Sequence, residues 1–149
     1  LDFAHQYLKE MGYGESGQQN PDSPCIFTKG LAVHGVLPMP VRHGEGKLVA
    51  RDAATLQRLQ DENLIALQYT HPETGEATQE HPWNPNGSPL AIAGLTDPTG
   101  HILGLMPHPE AFHHATNHPG WTRGEVAVPG TALFANAVRY LRENPVNHS

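Results

Sequence analysis

The sequence predicts an α/β domain. Short β-like apolar runs at 64–69, 90–95 and 101–105 interleave with helical patterns at 53–62 and 131–142. Plentiful glycine (15) and proline (14) cut the chain into short elements joined by many loops. The 149 residues suffice for one domain, and 38% hydrophobic content against 16% charged is compatible with a packed core.

In chain order, Phe3, Tyr7, Leu8 and Met11 stand at helical spacing, with Gly12 as a stop. Residues 14–24 (GESGQQNPDSP) have loop chemistry throughout. Cys25 to Thr28 reads as a short strand, Lys29-Gly30 as a turn, and 31–41 as an extended run whose prolines suit an edge or bulge. Lys47 to Ala50 is extended. Asp52 then caps a helix over 53–62 that places Ala53, Leu56 and Leu59 on one face. A strand at 64–69 leads into a long polar loop, 70–89, of a length usually tied to function or to a partner. The runs 90–95 and 101–105 flank the turn Asp97-Pro98-Thr99-Gly100. A short helix near 111–115, a Trp121 loop and a final helix over 131–142 complete the chain. In that last helix Leu133, Phe134, Ala137, Val138 and Leu141 form the apolar stripe.

Composition excludes several classes. A net charge of −6 with nine scattered basic residues gives no footprint for nucleic acid or an anionic membrane. No apolar run approaches the roughly 20 residues that cross a bilayer, and the start has no signal-peptide pattern, so a cytoplasmic location is expected. A lone cysteine forms no internal disulfide. Leu1 is not an initiator methionine, and the chain opens in a helical pattern. Either residues have been removed from the start, or an upstream part lies outside this sequence.

The chemistry centres on Met106-Pro107-His108-Pro109-Glu110. Pro109 biases His108 toward an extended backbone, and in extended chain residues two apart project to one side. Glu110 then reaches the His108 Nδ1. This is the base-and-orienter half of a nucleophilic triad. The plainer alternative is a strand-to-helix turn, with proline in its first turn and Glu110 favoured by the helix dipole. For an isolated His-Pro-Glu the plainer reading wins.

The surrounding motifs reverse that balance. Asn84-Pro-Asn-Gly-Ser88, Ile92-Ala-Gly-Leu95 and Leu103 through Glu110 together resemble the end of a class I glutamine amidotransferase domain, the glutaminase of phosphoribosylformylglycinamidine synthase. Pro40-Val-Arg-His-Gly-Glu-Gly46 is similar to that family's His-Gly-Glu-Gly signature, and Asn117 to Arg123 and the last helix resemble it as well. The resemblance covers roughly residues 24–142 in one order. It divides the chain into an unmatched helix and loop, 1–23, and the C-terminal part of an amidotransferase domain, 24–149.

The resemblance implies a flavodoxin-like or Rossmann-like sheet with flanking helices, here without its first strands and nucleophile elbow. It implies that His108 is general base and acid of a Cys-His-Glu triad, with Glu110 orienting it. The thiolate attacks the glutamine side-chain amide, ammonia leaves, and water hydrolyses the thioester. The ammonia serves conversion of formylglycinamide ribonucleotide to its amidine in purine biosynthesis. The implied partners are glutamine and a large synthetase subunit. ATP and Mg²⁺ are expected on that partner, with no cofactor in this chain.

Further motifs carry weaker signals. Glycines flanking one residue in His43-Gly44-Glu45-Gly46 permit close backbone approach. The analogy assigns His43, Gly44 and Glu45 to the α-amino and α-carboxylate ends of glutamine, against a plain glycine turn with an ion pair. Asn84 to Ser88 reads first as an Asn-Gly turn. His113, His114 and His118 lack a completing carboxylate or thiol, so no metal site is expected. The family's Gly-x-Cys-x-Gly elbow is absent, and in Ser23-Pro-Cys-Ile-Phe27 the bulky Phe27 stands where an elbow needs a small residue. Cys25 is expected to be a buried, unreactive thiol.

Three readings follow. The first is an incomplete glutaminase carrying two of three triad members. The second is a non-catalytic module that docks on the synthetase through loop 70–89 and the Trp121 loop. A metal-dependent hydrolase ranks last. Loss of half a parallel sheet would also expose an edge open to self-association.

Overall fold

The computed structural model describes residues 15–32, 36–42, 46–118, 121–124 and 129–145. Within them lies one open sheet of β1 (Glu15–Gln19), β2 (Leu37–Pro38), β3 (Ile65–Tyr69), β4 (Ile92–Thr96) and β5 (Leu103–Leu105). The spatial order is β2-β1-β3-β4-β5, and all four pairings are antiparallel. Two α-helices flank it, α1 (Ala53–Asp61) and α2 (Ala132–Glu143). The result is a small α/β domain. None of the described helices is long and apolar enough to cross a membrane.

Local rules account for much of this. Asp52 caps α1 by accepting from the Thr55 backbone N–H at 2.8 Å. At the other end of the helix, Asn63 takes a positive φ of 54° and turns the chain into β3. β3 is buried along nearly its whole length, as a strand covered on both faces should be. β4 and β5 form a hairpin in register Gly94↔Leu105 and Thr96↔Leu103. Its turn is organised by Asp97, which accepts from the backbone N–H groups of Thr99 and Ile102.

Long-range packing overrides the local signal in four places. Residues 15–19, loop by composition, form β1, which pairs with both β2 and β3. A polar strand is stabilised there by two ladders rather than by its own propensity. Cys25 to Thr28 is no strand: it is a turn, with Thr28 N–H and Oγ1 both donating to the Cys25 carbonyl. The run is apolar because it is buried, and periodicity cannot tell such a turn from a core strand. Gly100 makes it possible, since a Cβ there would sit 2.1 Å from the Pro24 carbonyl oxygen.

The third override concerns α2. Its inward residues are Leu133 and Asn136, both buried, while Phe134, Val138 and Leu141 are about half exposed. The Asn136 amide donates to the Phe27 carbonyl at 3.0 Å, which fixes the helix about one position away from the purely apolar stripe. Fourth, the parallel pairing implied by a flavodoxin-like sheet does not occur among the described strands. The expected helix over 3–11 lies outside the described residues. In α1, Leu56 and Leu59 are half-buried but Ala53 is exposed. The short helix expected near 111–115 is replaced by two separate 3-10 turns, Pro109–Ala111 and Ala115–Asn117.

The core joins Met39, Val41, Leu67, Tyr69, Ala91, Ala93 and Leu133. Leu103 and Leu105 of β5 pack against it. The chain leaving β5 therefore emerges from a fixed support, and the site lies on that exit.

Candidate active site

Beyond β5 the Met106 N–H donates to the Ala93 carbonyl (2.9 Å), and the His108 N–H donates to the Pro40 carbonyl (2.8 Å). The next residues close a single 3-10 turn, Pro109–Ala111, with Ala111 N–H on the His108 carbonyl and Phe112 N–H on the Pro109 carbonyl. Proline stands at the first position of that turn, where its missing N–H costs nothing. His108 itself is not helical, with φ −111° and ψ 83°.

This geometry brings His108 and Glu110 together. The Nδ1–Oε1 distance is 2.6 Å, with the His108 side chain 37% and the Glu110 side chain 62% exposed. The two readings of His-Pro-Glu are not exclusive here: the turn is what turns the carboxylate back onto the ring. The His108 hydrogen bond, its largest cause, holds the Glu110 carboxyl below the usual carboxylate range, with charges on His108 and Arg42 adding to it. An ionised carboxylate only accepts, so Nδ1 carries the proton and donates. In a neutral imidazole that leaves the lone pair on Nε2.

Both side chains line a cavity of about 250 Å³ together with Leu103, Leu105, Phe27 and Phe134. An acid–base pair at the mouth of an apolar cleft can take a proton from a nucleophile and return it to a leaving group. Cys25 does not line this cavity. It is fully buried, with its backbone N–H on Ser23 Oγ at 3.4 Å, and a thiol so enclosed is shut off from a substrate.

The comparisons with known proteins agree with one another. A model of the CobB/CobQ-like glutamine amidotransferase domain matches residues 13–141. The chain belongs to this family. It is 37% identical over 134 residues to a phosphoribosylformylglycinamidine synthase subunit PurQ of Methanococcus maripaludis, covering 82% of the chain and 48% of that protein. The PurQ subunit of Dehalococcoides mccartyi is 36% identical over 126 residues, covering 83% of the chain and 46% of that protein. In the structure of PurLQS from Thermotoga maritima, one chain matches 87% of this chain with TM-score 0.57 and 24% identity, over 46% of its own length. The amidotransferase domain thus spans about half the length of the curated relatives it matches.

Of the other residues singled out in the sequence, His43, Gly44 and Glu45 lie outside the described residues. Each member of the histidine cluster has a local task. His113 Nδ1 lies 2.9 Å from the Glu110 carbonyl, His114 accepts from the Thr116 N–H, and His118 stacks on Phe112 with ring centroids 5.6 Å apart. Among the described residues no three His, Cys, Asp or Glu side chains converge as metal ligands.

The loop Asn84–Ser88 does more than turn. Asn84 and Ser88 are each 1% exposed. The Asn84 amide donates to the carbonyls of Ser88 and Thr78 and its Oδ1 accepts from Ser88 N–H at 2.8 Å. Asn86 donates to the Gly46 carbonyl, and Ser88 Oγ accepts from Leu48 N–H. Leu90 and Ala91 follow with positive φ of 54° and 55°. Non-glycine residues in that region are strained by roughly 1–2 kcal/mol each, and Gln68 holds the Leu90 carbonyl at 2.8 Å. The Asn-Gly pair signalled a turn, but nothing local signalled that its side chains would clasp a segment 40 residues away.

Proposed function

We propose that this domain carries the general base and its orienting carboxylate in the glutaminase component of a phosphoribosylformylglycinamidine synthase. The observation that carries the reading is the 2.6 Å contact of His108 Nδ1 with Glu110 Oε1 at the mouth of the cavity. Family membership and the PurQ relatives support it. His108 Nε2 takes the proton from a cysteine thiol, and the thiolate adds to the glutamine amide carbon. The tetrahedral oxyanion collapses, and the leaving nitrogen takes the His108 proton and departs as ammonia. His108 then deprotonates water, which cleaves the thioester to glutamate and restores the thiol. Glu110 stabilises the imidazolium in both halves.

Because Cys25 is buried and outside the cavity, the attacking sulfur comes from polypeptide beyond these 149 residues, on a Gly-x-Cys-x-Gly elbow. The antiparallel sheet is then the C-terminal part of a larger flavodoxin-like sheet. His43, Gly44 and Glu45 hold the amino and carboxylate ends of glutamine. The ammonia passes to a large synthetase subunit, where ATP and Mg²⁺ belong, for amidination of formylglycinamide ribonucleotide.

The test is ammonia release from glutamine. The isolated chain releases none. Co-expressed with the cysteine-bearing segment of a PurQ relative and the synthetase subunit, it does. His108→Ala then lowers kcat by about 10²–10⁴-fold, and Cys25→Ala changes nothing. Hydrolysis by the isolated chain that Cys25→Ala abolishes would sink the proposal.

A second reading, a docking module without chemistry, draws on the outward apolar face of Phe134, Val138 and Leu141. It requires co-purification with the synthetase and no glutaminase activity in the assembled complex.

A further inference from the structure

We infer that Gly130 is a positioning residue of the site: its bare Cα seats the Pro109–Phe112 turn and so sets where the Glu110 carboxylate meets His108. Gly130 is buried at the entry to α2. A Cβ on it would lie 2.0 Å from the Phe112 carbonyl oxygen and 2.3 Å from that of Pro109. Both obstacles are backbone, so no side chain can swing aside. Gly130 is not among the glycines with positive φ. What demands glycine here is space, not conformation.

The support beneath the pair is divided. The His108 side is tied to the Pro40 carbonyl through its backbone N–H. The Glu110 side rests on Gly130, three residues before Leu133, which is buried in the core. Real Cβ atoms essentially never come within 3.0 Å of such an atom, so a 2.0 Å approach requires a shift on the order of 1 Å. With Leu133 fixed, the turn is the part that yields. The carboxylate moves while the imidazole stays with Pro40. A misplacement on the order of 1 Å is enough to cost about 10²-fold in a positioned reaction.

The inference rests on the reading of His108 and Glu110 as the working pair, but its first readout does not need catalysis. In Gly130→Ala the Glu110 carboxyl, followed by ¹³C NMR on the full chain, titrates at higher pH than in wild type, toward its value in His108→Ala. Gly104→Ala, on β5 with its nearest neighbour 3.9 Å away, leaves that titration unchanged. So does Leu64→Ala, a core truncation that lowers Tm without touching the turn. In the assembled enzyme Gly130→Ala lowers kcat about 10²-fold. A folded Gly130→Ala with wild-type Glu110 titration overturns the inference. If that variant does not fold, nuclear Overhauser contacts between the Gly130 α protons and the Pro109 and Phe112 α protons decide in the wild type, and their absence overturns it equally. An unchanged Glu110 titration in Gly130→Ala refutes the role of Gly130, whereas full activity of His108→Ala in the assembled enzyme refutes the proposed function instead.

Discussion

The Asn84–Ser88 loop and the Met106–Phe112 turn are both short, rich in proline and polar, yet they use polarity in opposite directions. In the loop, the side chains of Asn84 and Ser88 point inward and serve backbone groups. In the turn, backbone groups find backbone partners at Ala93 and Pro40 and within the turn itself, which leaves the His108 and Glu110 side chains facing an open cleft. A buried amide that completes other residues' hydrogen bonds is structural, and its loss leaves orphans behind. A partly exposed pair whose scaffold is already satisfied can change protonation without unfolding its support. Sequence motif reads the loop first as an Asn-Gly turn and the turn as chemistry; the direction of the side chains gives that difference its physical content.

The sharpest way to break this contrast is Asn84→Ala. It strands the buried Ser88 N–H and the partly buried Thr78 carbonyl, and takes one of two donors from the Ser88 carbonyl, which keeps the Ala91 N–H, so a loss of about 2–4 kcal/mol is expected in urea unfolding. A loss under about 0.5 kcal/mol would mean that the loop is only a turn.

A second measurement compares two carboxylates under acid. Thr99 and Ile102 hold the Asp97 carboxyl down to about 2, the Thr99 hydroxyl contributing most. A depressed folded-state pKa stabilises the fold above the ordinary carboxylate range near about 4, and that contribution is lost as pH falls toward the folded value. The Ile102 amide resonance is therefore expected to shift with a midpoint near 2. Glu110, also lowered, has the same sign and loses its bond with His108 below the usual carboxylate range. If the Ile102 amide instead moved at an unshifted carboxylate midpoint, the β4–β5 turn would not be held by Asp97.

The smallest effect is expected for Glu110→Gln. The side chain is 62% exposed, so unfolding free energy changes by no more than about 0.5 kcal/mol. A drop of several kcal/mol would place Glu110 with Asn84 among the structural polar groups.

Several signals confined to a few neighbouring residues were legible in the sequence, though the turn at Cys25–Thr28 and the 3-10 turns after His108 were not. Asp52 as a helix cap, the hairpin around Asp97–Gly100, the burial of Cys25 and the i, i+2 proximity of His108 and Glu110 all depend on bonds that span five residues or fewer, or on a single side chain's preference. Family membership was legible too, because four motifs kept their order. What the sequence did not reveal involves partners far along the chain. β1 is a strand because β2 and β3 accept it, not because Glu15–Gln19 favours one. α2 buries Asn136 rather than Phe134 because the Phe27 carbonyl, 109 residues away, takes its amide as donor. Gly130 is required only because the Phe112 and Pro109 carbonyls arrive beside it. Residue types and their spacing set local conformation through short-range sterics and hydrogen bonds; which face is buried, and which backbone groups are left to satisfy, is decided only when distant segments share one volume.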